Sequence, residues 1–340
     1  MKTIIALIFF AVLGGIVWNI STVVFPKEFC AGDEADNFDC YEKHYQQLTE
    51  KKSIEAAFAD LKKRYPENDY VRSQCHPLTH VIGRTAAQKF PNVSQTYLEG
   101  DSFCWSGYYH GVLEGIIGRI GLNHIIPELD HICADIPGKD RYNFDYYNCV
   151  HGIGHGLMAI TQNELFASLD YCDKLTGSWE KNSCAGGVFM ENIIVDNKNH
   201  VTKYLRPGEP LYPCTAVPDK YKNPCYLMQT SYMLKVNGGD FAKVFEWCGG
   251  IEESLRPTCY NSLGRDASGR TVSDVAQTKA ICLLGIKKEQ QLHCVVGAVK
   301  DFISYFHSDI QARELCSALG DAEIQSVCFS TAGSHYQSFN

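Results

Sequence analysis

Residues 241–248 read FAKVFEWC, and after a short link residues 259–264 read CYNSLG. Apolar side chains recur in the first stretch at helical spacing, so we predict a helix that ends at Cys248. The second stretch predicts another helix, which opens just after Cys259 with small residues. The two cysteines therefore mark the junction between consecutive helices.

The spacing of the cysteines repeats along the chain. Cys248 follows Cys225 by 23 positions and precedes Cys259 by 11, and this long and short alternation gives a unit of 34 to 35 residues. Two insertions, residues 134–148 and 196–212, break the period. A unit of this size cannot bury its own apolar face, so we expect helix pairs to stack into a solenoid with one continuous core.

Sixteen cysteines, an even number, favour disulfides over structural zinc sites, because the sequence contains no Cys-x-x-Cys pair. In a stack of helix pairs, the cysteine that ends one unit lies close to the cysteine that opens the next. We therefore predict that neighbours pair along the chain: Cys30 with Cys40, Cys75 with Cys104, Cys133 with Cys149, Cys172 with Cys184, Cys214 with Cys225, Cys248 with Cys259, Cys282 with Cys294, and Cys316 with Cys328.

The N-terminal segment from Thr3 to Phe25 contains 23 residues and no charge. It is long enough to cross a bilayer as a helix. Lys2 precedes it and acidic residues follow Lys27, so we expect a cytoplasmic N-terminus and an extracytoplasmic remainder, on the cell surface, in a periplasm or in a secretory lumen. A cleaved signal peptide is the alternative, but no Ala-x-Ala site follows Trp18. We predict a signal anchor, and hence the membrane as a partner.

The net charge of -8 and the lack of a long basic run argue against a nucleic-acid partner. An exported protein or a small-molecule ligand remains the expected partner.

These patterns predict an all-α fold: a right-handed α-solenoid of helix pairs stapled by disulfides, after one transmembrane helix. We expect the signal anchor at residues 1–26, an N-terminal helical cap at 27–74 and the repeat domain at 75–340. Within the repeat domain, residues 75–195 are rich in histidine and residues 213–340 form a structural half.

The Trp247-Cys248 and Thr258-Cys259 junction, followed by Leu263-Gly264, resembles the tetratricopeptide-like repeat families, in particular their cysteine-rich exported relatives. The resemblance covers roughly residues 100 to 335. It implies a binding scaffold built from helix pairs, and repeat architecture does not itself determine activity.

A second pattern appears when the repeats are aligned on their opening cysteines. Histidine or glutamate follows the cysteine by five to seven positions in four successive units, and three of these residues have a companion four positions away. A spacing of four places two side chains on one helix face, as in helical metal sites. The set comprises His76, His80, His110, Glu114, His151, His155 and Glu191.

These residues predict a metal site with the five histidines as ligands and Glu114 or Glu191 as a ligand or general base. Imidazole and carboxylate ligands suit a divalent transition metal, of which zinc is the first choice and copper or iron the alternatives. Zinc with an open position would make a hydrolase, whereas copper or iron would suit an oxidoreductase.

The competing hypothesis is a non-catalytic extracytoplasmic scaffold that binds a protein or glycan. In that case each histidine caps a helix or packs against an aromatic ring. The two hypotheses differ in one structural requirement: a metal site needs most of the seven side chains to converge on one pocket, while a scaffold allows them to scatter.

Overall fold

The computed structural model describes residues 29–89, 93–194 and 202–339. Within these ranges the regular structure is helical, which confirms the all-α class. The α-helices are α1 Phe38–Lys51, α2 Ile54–Arg64, α3 Asp69–Ser73, α4 Cys75–Ala86, α5 Val93–Leu98, α6 Gly107–Ile120, α7 Leu122–Ile125, α8 Leu129–Ile132, α9 Phe144–Ile160, α10 Leu165–Cys172, α11 Ser178–Ile193, α12 Asp219–Val236, α13 Phe241–Gly249, α14 Arg256–Arg270, α15 Val275–Cys282, α16 Lys288–Phe306, α17 Ile310–Ala318 and α18 Ala322–Phe339.

The long helices form one continuous row. Each packs on the next in the order α4, α6, α9, α11, α12, α14, α16 and α18, and α1 of the N-terminal cap packs on α4. The short helices α10, α13, α15 and α17 form a second row against the first. Buried Leu113, Val188, Leu263 and Val299 belong to one core that runs through the row, so the helix pairs share their apolar faces as the repeat predicts.

All eight predicted disulfides are present, from Cys30–Cys40 to Cys316–Cys328. The position of the opening cysteine in its helix is a correction to the sequence prediction. Helix α9 begins at Phe144 rather than after Cys149, and α14 begins at Arg256 rather than after Cys259. The cysteine thus lies in the first or second turn: Asn143 caps the start of α9, and Pro257 lies in the first turn of α14.

Local signals explain several helix boundaries. Asn143, Asp240 and Asp274 each accept a hydrogen bond from the backbone three residues on, at the starts of α9, α13 and α15. Gly238 and Gly239, after α12, have positive φ angles of 73° and 86°, which other residues rarely adopt. The local sequence therefore specifies the turn between α12 and α13.

The row of long helices curves far enough to bring its first members against α16. The Trp105 ring lies 5.6 Å from that of Tyr305, and the Phe144 ring lies 5.8 Å from that of His307. Ser102 Oγ lies 2.5 Å from His307 Nε2. The concave side of the row is consequently a confined central space rather than an open groove.

The segment Thr3 to Phe25, predicted as a signal anchor, lies outside the described residues. Among the helices of residues 29–89, 93–194 and 202–339, none has both the length and the hydropathy to cross a bilayer.

We predict that the Cys248–Cys259 disulfide stabilises the fold through its short loop. Replacing both cysteines by serine should lower the free energy of unfolding by about 2 to 4 kcal/mol, because the unfolded chain regains loop entropy. Chemical denaturation monitored by circular dichroism measures the change. Ser254→Ala, an exposed substitution in the same loop, is the control and should be neutral. Equal stability of the serine pair and the wild type would contradict the prediction.

Candidate metal centre

Four successive helices of the row, α4, α6, α9 and α11, each bring two positions to the central space, four residues apart. The first positions form one layer and the second positions form another, one helical turn deeper. The outer layer contains His76, His110, His151 and Gly187, and the inner layer contains His80, Glu114, His155 and Glu191. Because the side chains repeat on consecutive helices, the seven predicted site residues lie together.

Backbone contact between helices makes this convergence possible. A Cβ atom on Gly111 would lie 2.2 Å from the carbonyl oxygen of His80, and a Cβ atom on Gly187 would lie 1.9 Å from that of His151. Helices α4 and α6, and helices α9 and α11, therefore meet at positions where only glycine fits. The short separation lets imidazole and carboxylate side chains of adjacent helices reach each other.

The five imidazoles form one buried cluster with His110 at its centre. The His110 ring stacks on that of His155 at 4.3 Å and lies 5.0 to 5.6 Å from the rings of the other three. Four of the rings are almost inaccessible to solvent, and His76 is partly buried. Both ring nitrogens of His110 lack a hydrogen-bond partner among the described residues.

The Nδ1 atoms of the other histidines have partners behind the cluster. His76 Nδ1 lies 2.8 Å from the carbonyl oxygen of Cys104, which can only accept, so this nitrogen carries the proton. His80 Nδ1 lies 2.5 Å from Glu114, and His155 Nδ1 lies 2.6 Å from Glu191. Each acceptor holds the Nδ1 proton, which leaves the lone pair on Nε2.

His151 also has a partner on Nδ1, a hydroxyl group that can either donate or accept. Its Nδ1 lies 3.2 Å from the Tyr147 hydroxyl oxygen, and its Nε2 has no hydrogen-bond partner among the described residues. Burial raises the pKa of Tyr147 to about 12, so the hydroxyl group stays neutral.

The charge of Glu114 is balanced inside the protein. Its second oxygen accepts a hydrogen bond from Nη1 of Arg84 at 2.7 Å, and Nη2 of Arg84 donates to Glu42. Burial of the carboxyl group opposes its ionisation, but His80 and Arg84 outweigh burial and hold its pKa below the ordinary value. Glu114 is therefore an anion paired on both oxygens.

The histidines of the outer layer are in their neutral form. Burial, and then repulsion from neighbouring histidines, hold the pKa values of His76, His110 and His151 well below the ordinary range. Neutral imidazole is the form that binds metal ions.

Three sets of ligand atoms are close enough to surround an ion, with all atoms of a set within 4.8 Å of one another. Two sets are imidazole only and share His110. The third is the inner layer. The sets are His76, His80 and His110; His110, His151 and His155; and His80, Glu114, His155 and Glu191. The roles predicted for these residues as metal ligands or catalytic groups stay predictions, although the residues are brought together.

Two cavities open onto the cluster from the central space. One, of about 440 Å³, reaches His76. The other, also about 440 Å³, reaches His110 and His151. Trp105, Met190 and Arg265 line both cavities and so lie between them.

Sequence reasoning missed several residues of the site. Arg84 lies four residues after His80, and Tyr147 lies four residues before His151. Extending the four-residue spacing by one step would have found both. Arg265 and Lys300 follow Cys259 and Cys294 by six positions, as His110 follows Cys104, but they lie in residues 213–340, which we expected to be a structural half. Their approach depends on the curvature of the row, which no local pattern reveals.

The comparisons with known proteins add no further constraint: no family model, no curated protein and no solved structure matches this chain. The function must therefore be argued from the geometry of the site.

We predict that Gly187→Ala separates α9 from α11. The added methyl group overlaps the His151 carbonyl, so the free energy of unfolding should fall by about 1 to 3 kcal/mol. Thermal and chemical denaturation provide the measurement. The matched control is Gly118→Ala in α6, where a Cβ meets no atom within 4 Å. This substitution should leave the free energy of unfolding unchanged or slightly raised. An unaffected Gly187 variant would show that the helices are not in backbone contact.

Proposed function

We propose that this chain is an extracytoplasmic metalloprotein whose histidine cluster binds one or two transition-metal ions. The convergence of the seven side chains supports this proposal over the scaffold hypothesis, which permits them to scatter. The observation that carries it is the approach of two imidazole lone pairs, His76 Nε2 and His80 Nε2, to 3.0 Å.

That approach is unfavourable without a cation. The Nδ1 protons of His76 and His80 are committed to the Cys104 carbonyl and to Glu114, so both Nε2 atoms present lone pairs to each other. A proton between them would create a buried imidazolium that Glu114 could pair with, but it would still leave both ring nitrogens of His110 without a partner among the described residues. A metal ion resolves the repulsion: two nitrogens at 2.0 to 2.1 Å from a tetrahedral zinc ion lie about 3.3 Å apart.

We assign Glu114 and Glu191 to orientation of the ligands rather than to metal coordination or base catalysis. Each accepts the Nδ1 proton of a histidine, and Arg84 occupies the second oxygen of Glu114. Carboxylates behind metal-bound histidines fix the ring orientation and raise ligand basicity. This assignment revises the sequence prediction for the two glutamates.

Zinc remains the first choice, and copper or iron the alternatives. Three imidazoles with an open coordination position would let zinc activate water for hydrolysis, while copper or iron would serve an oxidoreductase. The cavity that reaches His110 and His151 offers access for a substrate.

Cellular location and fine architecture are part of the same proposal. Disulfides persist in oxidising compartments, and the eight disulfides support a location outside the cytoplasm. The signal anchor at Thr3 to Phe25, the right-handed sense of the solenoid and its relation to tetratricopeptide-like proteins stay predictions.

Metal content tests the proposal. The full chain, purified oxidised and without a metal-binding tag, should contain one or two equivalents of zinc, copper or iron by elemental analysis. Replacing His110 and His155 by alanine should abolish binding, because both imidazole sets lose a ligand. Glu114→Gln should weaken affinity roughly 10- to 100-fold through loss of ligand orientation.

The control is His293→Ala in α16, which lies outside the cluster and should retain the metal. A folded wild-type chain that contains no metal and takes up no added zinc, copper or iron would overturn the proposal.

A further inference from the structure

The cavity that reaches His110 and His151 contains polar atoms that the protein itself does not satisfy. Ser106 Oγ, Asn148 Nδ2 and Asp301 Oδ2 lie on residues that line it, and these residues are 2%, 2% and 6% exposed. None of these atoms has a hydrogen-bond partner among the described residues. Buried polar groups in native proteins are nearly always hydrogen-bonded to protein or to a bound molecule, so these atoms are sites for ordered water or for a polar ligand that replaces it.

The unsatisfied atoms include both donors and acceptors. The Asn148 amide nitrogen donates, one oxygen of Asp301 accepts, and the Ser106 hydroxyl can do either. Asn261 Oδ1, which is also unpartnered among the described residues and belongs to the same lining, adds another acceptor. A ligand that satisfied all four atoms would carry at least two groups that donate and at least one that accepts.

The walls of the cavity between these polar atoms are aromatic. Trp105, Phe144, Tyr147 and Trp179 belong to the lining. The Trp179 ring is partly exposed, lies parallel to the Tyr146 ring at 5.6 Å and contacts Tyr142 at 4.6 Å. Flat aromatic faces favour a ligand with an apolar face of its own.

The charges of the lining balance. Arg265 bonds to Asp266, to Ser231 and to the Leu227 carbonyl, so its guanidinium is occupied. Lys300 at the exposed rim offsets Asp301. The side chains of the lining would therefore give a charged ligand little net attraction, whereas a neutral one pays no cost for desolvating a full charge.

We propose that this cavity binds a neutral sugar unit, with hydroxyl groups on the unsatisfied polar atoms and its C–H face on the aromatic wall. A pyranose ring combines alternating donors and acceptors with an apolar face and no charge. The volume of about 440 Å³ lies in the range of small-ligand pockets. The role of the sugar as substrate rests on the proposed metal centre, but its binding does not.

Isothermal titration of the full chain tests this inference. The probes are methyl glucoside, N-acetylglucosamine and cellobiose, with glucuronate and glucosamine as charged analogues. At least one neutral probe should bind, about tenfold or more tighter than either charged analogue. Asp301→Asn and Trp179→Ala should each weaken binding about tenfold or more, which corresponds to about 1.4 kcal/mol.

Trp247→Ala, on helix α13 away from the cavity, is the control and should bind sugar as the wild type does. Because Trp179 is partly exposed, its variant remains informative if Asp301→Asn fails to fold. Absence of binding by all three neutral probes, tighter binding of a charged analogue, or unchanged affinity of the folded variants would overturn the inference.

Repeating the titration after chelation, with metal content measured in parallel, separates the two proposals. A chain that is isolated with metal but binds no sugar rejects the sugar site alone. A chain that binds sugar but is isolated without metal and takes up none rejects the metal centre alone, and a chain that does neither rejects both proposals. Sugar binding should persist after chelation, because it does not depend on the ion.

Discussion

Helices α4 and α6, and helices α9 and α11, approach until their backbones touch, at Gly111 and Gly187. The rest of the site depends on this approach. With larger residues there, imidazole and carboxylate groups on neighbouring helices would be too far apart to bond. The Cys75–Cys104 disulfide joins the start of α4 to the loop before α6, and Cys172–Cys184 joins α10 to α11. The layered arrangement of histidine and glutamate therefore follows from the way the backbones pack.

The polar layers lie inside a largely apolar core. Their charged side chains are paired with one another in succession. Glu114 links His80 to Arg84, and Arg84 continues to Glu42 in the N-terminal cap. A buried carboxylate without such partners would cost several kcal/mol. Both ring nitrogens of His110 and Nε2 of His151 have no hydrogen-bond partner among the described residues. Part of the unmet bonding capacity of the protein therefore lies at the centre of the histidine cluster.

A feature of the fold or of the site could be predicted from the sequence when its signal acts over a short distance along the chain. Helical periodicity and cysteine spacing are local, so the disulfides and the convergence of His76, His80 and the other site residues could be predicted. The start of α9 ahead of Cys149 could have been predicted from its cap Asn143, whereas α11, α12 and α14 have no capping side chain that would mark their starts. The approach of Lys300 and Asp301 to the cluster could not, because it accumulates from small rotations between successive helix pairs.

The central claim is that the Nε2 atoms of the cluster converge on a metal ion, with the carboxylates behind them. An anomalous difference map from crystals of the metal-loaded full chain, collected at the absorption edge of the bound metal, tests it most directly. We expect a peak about 2.0 to 2.1 Å from Nε2 of at least two histidines, His110 among them, with Glu114 remaining on His80 Nδ1. A peak coordinated mainly by the glutamates, or no peak within the cluster, would contradict it.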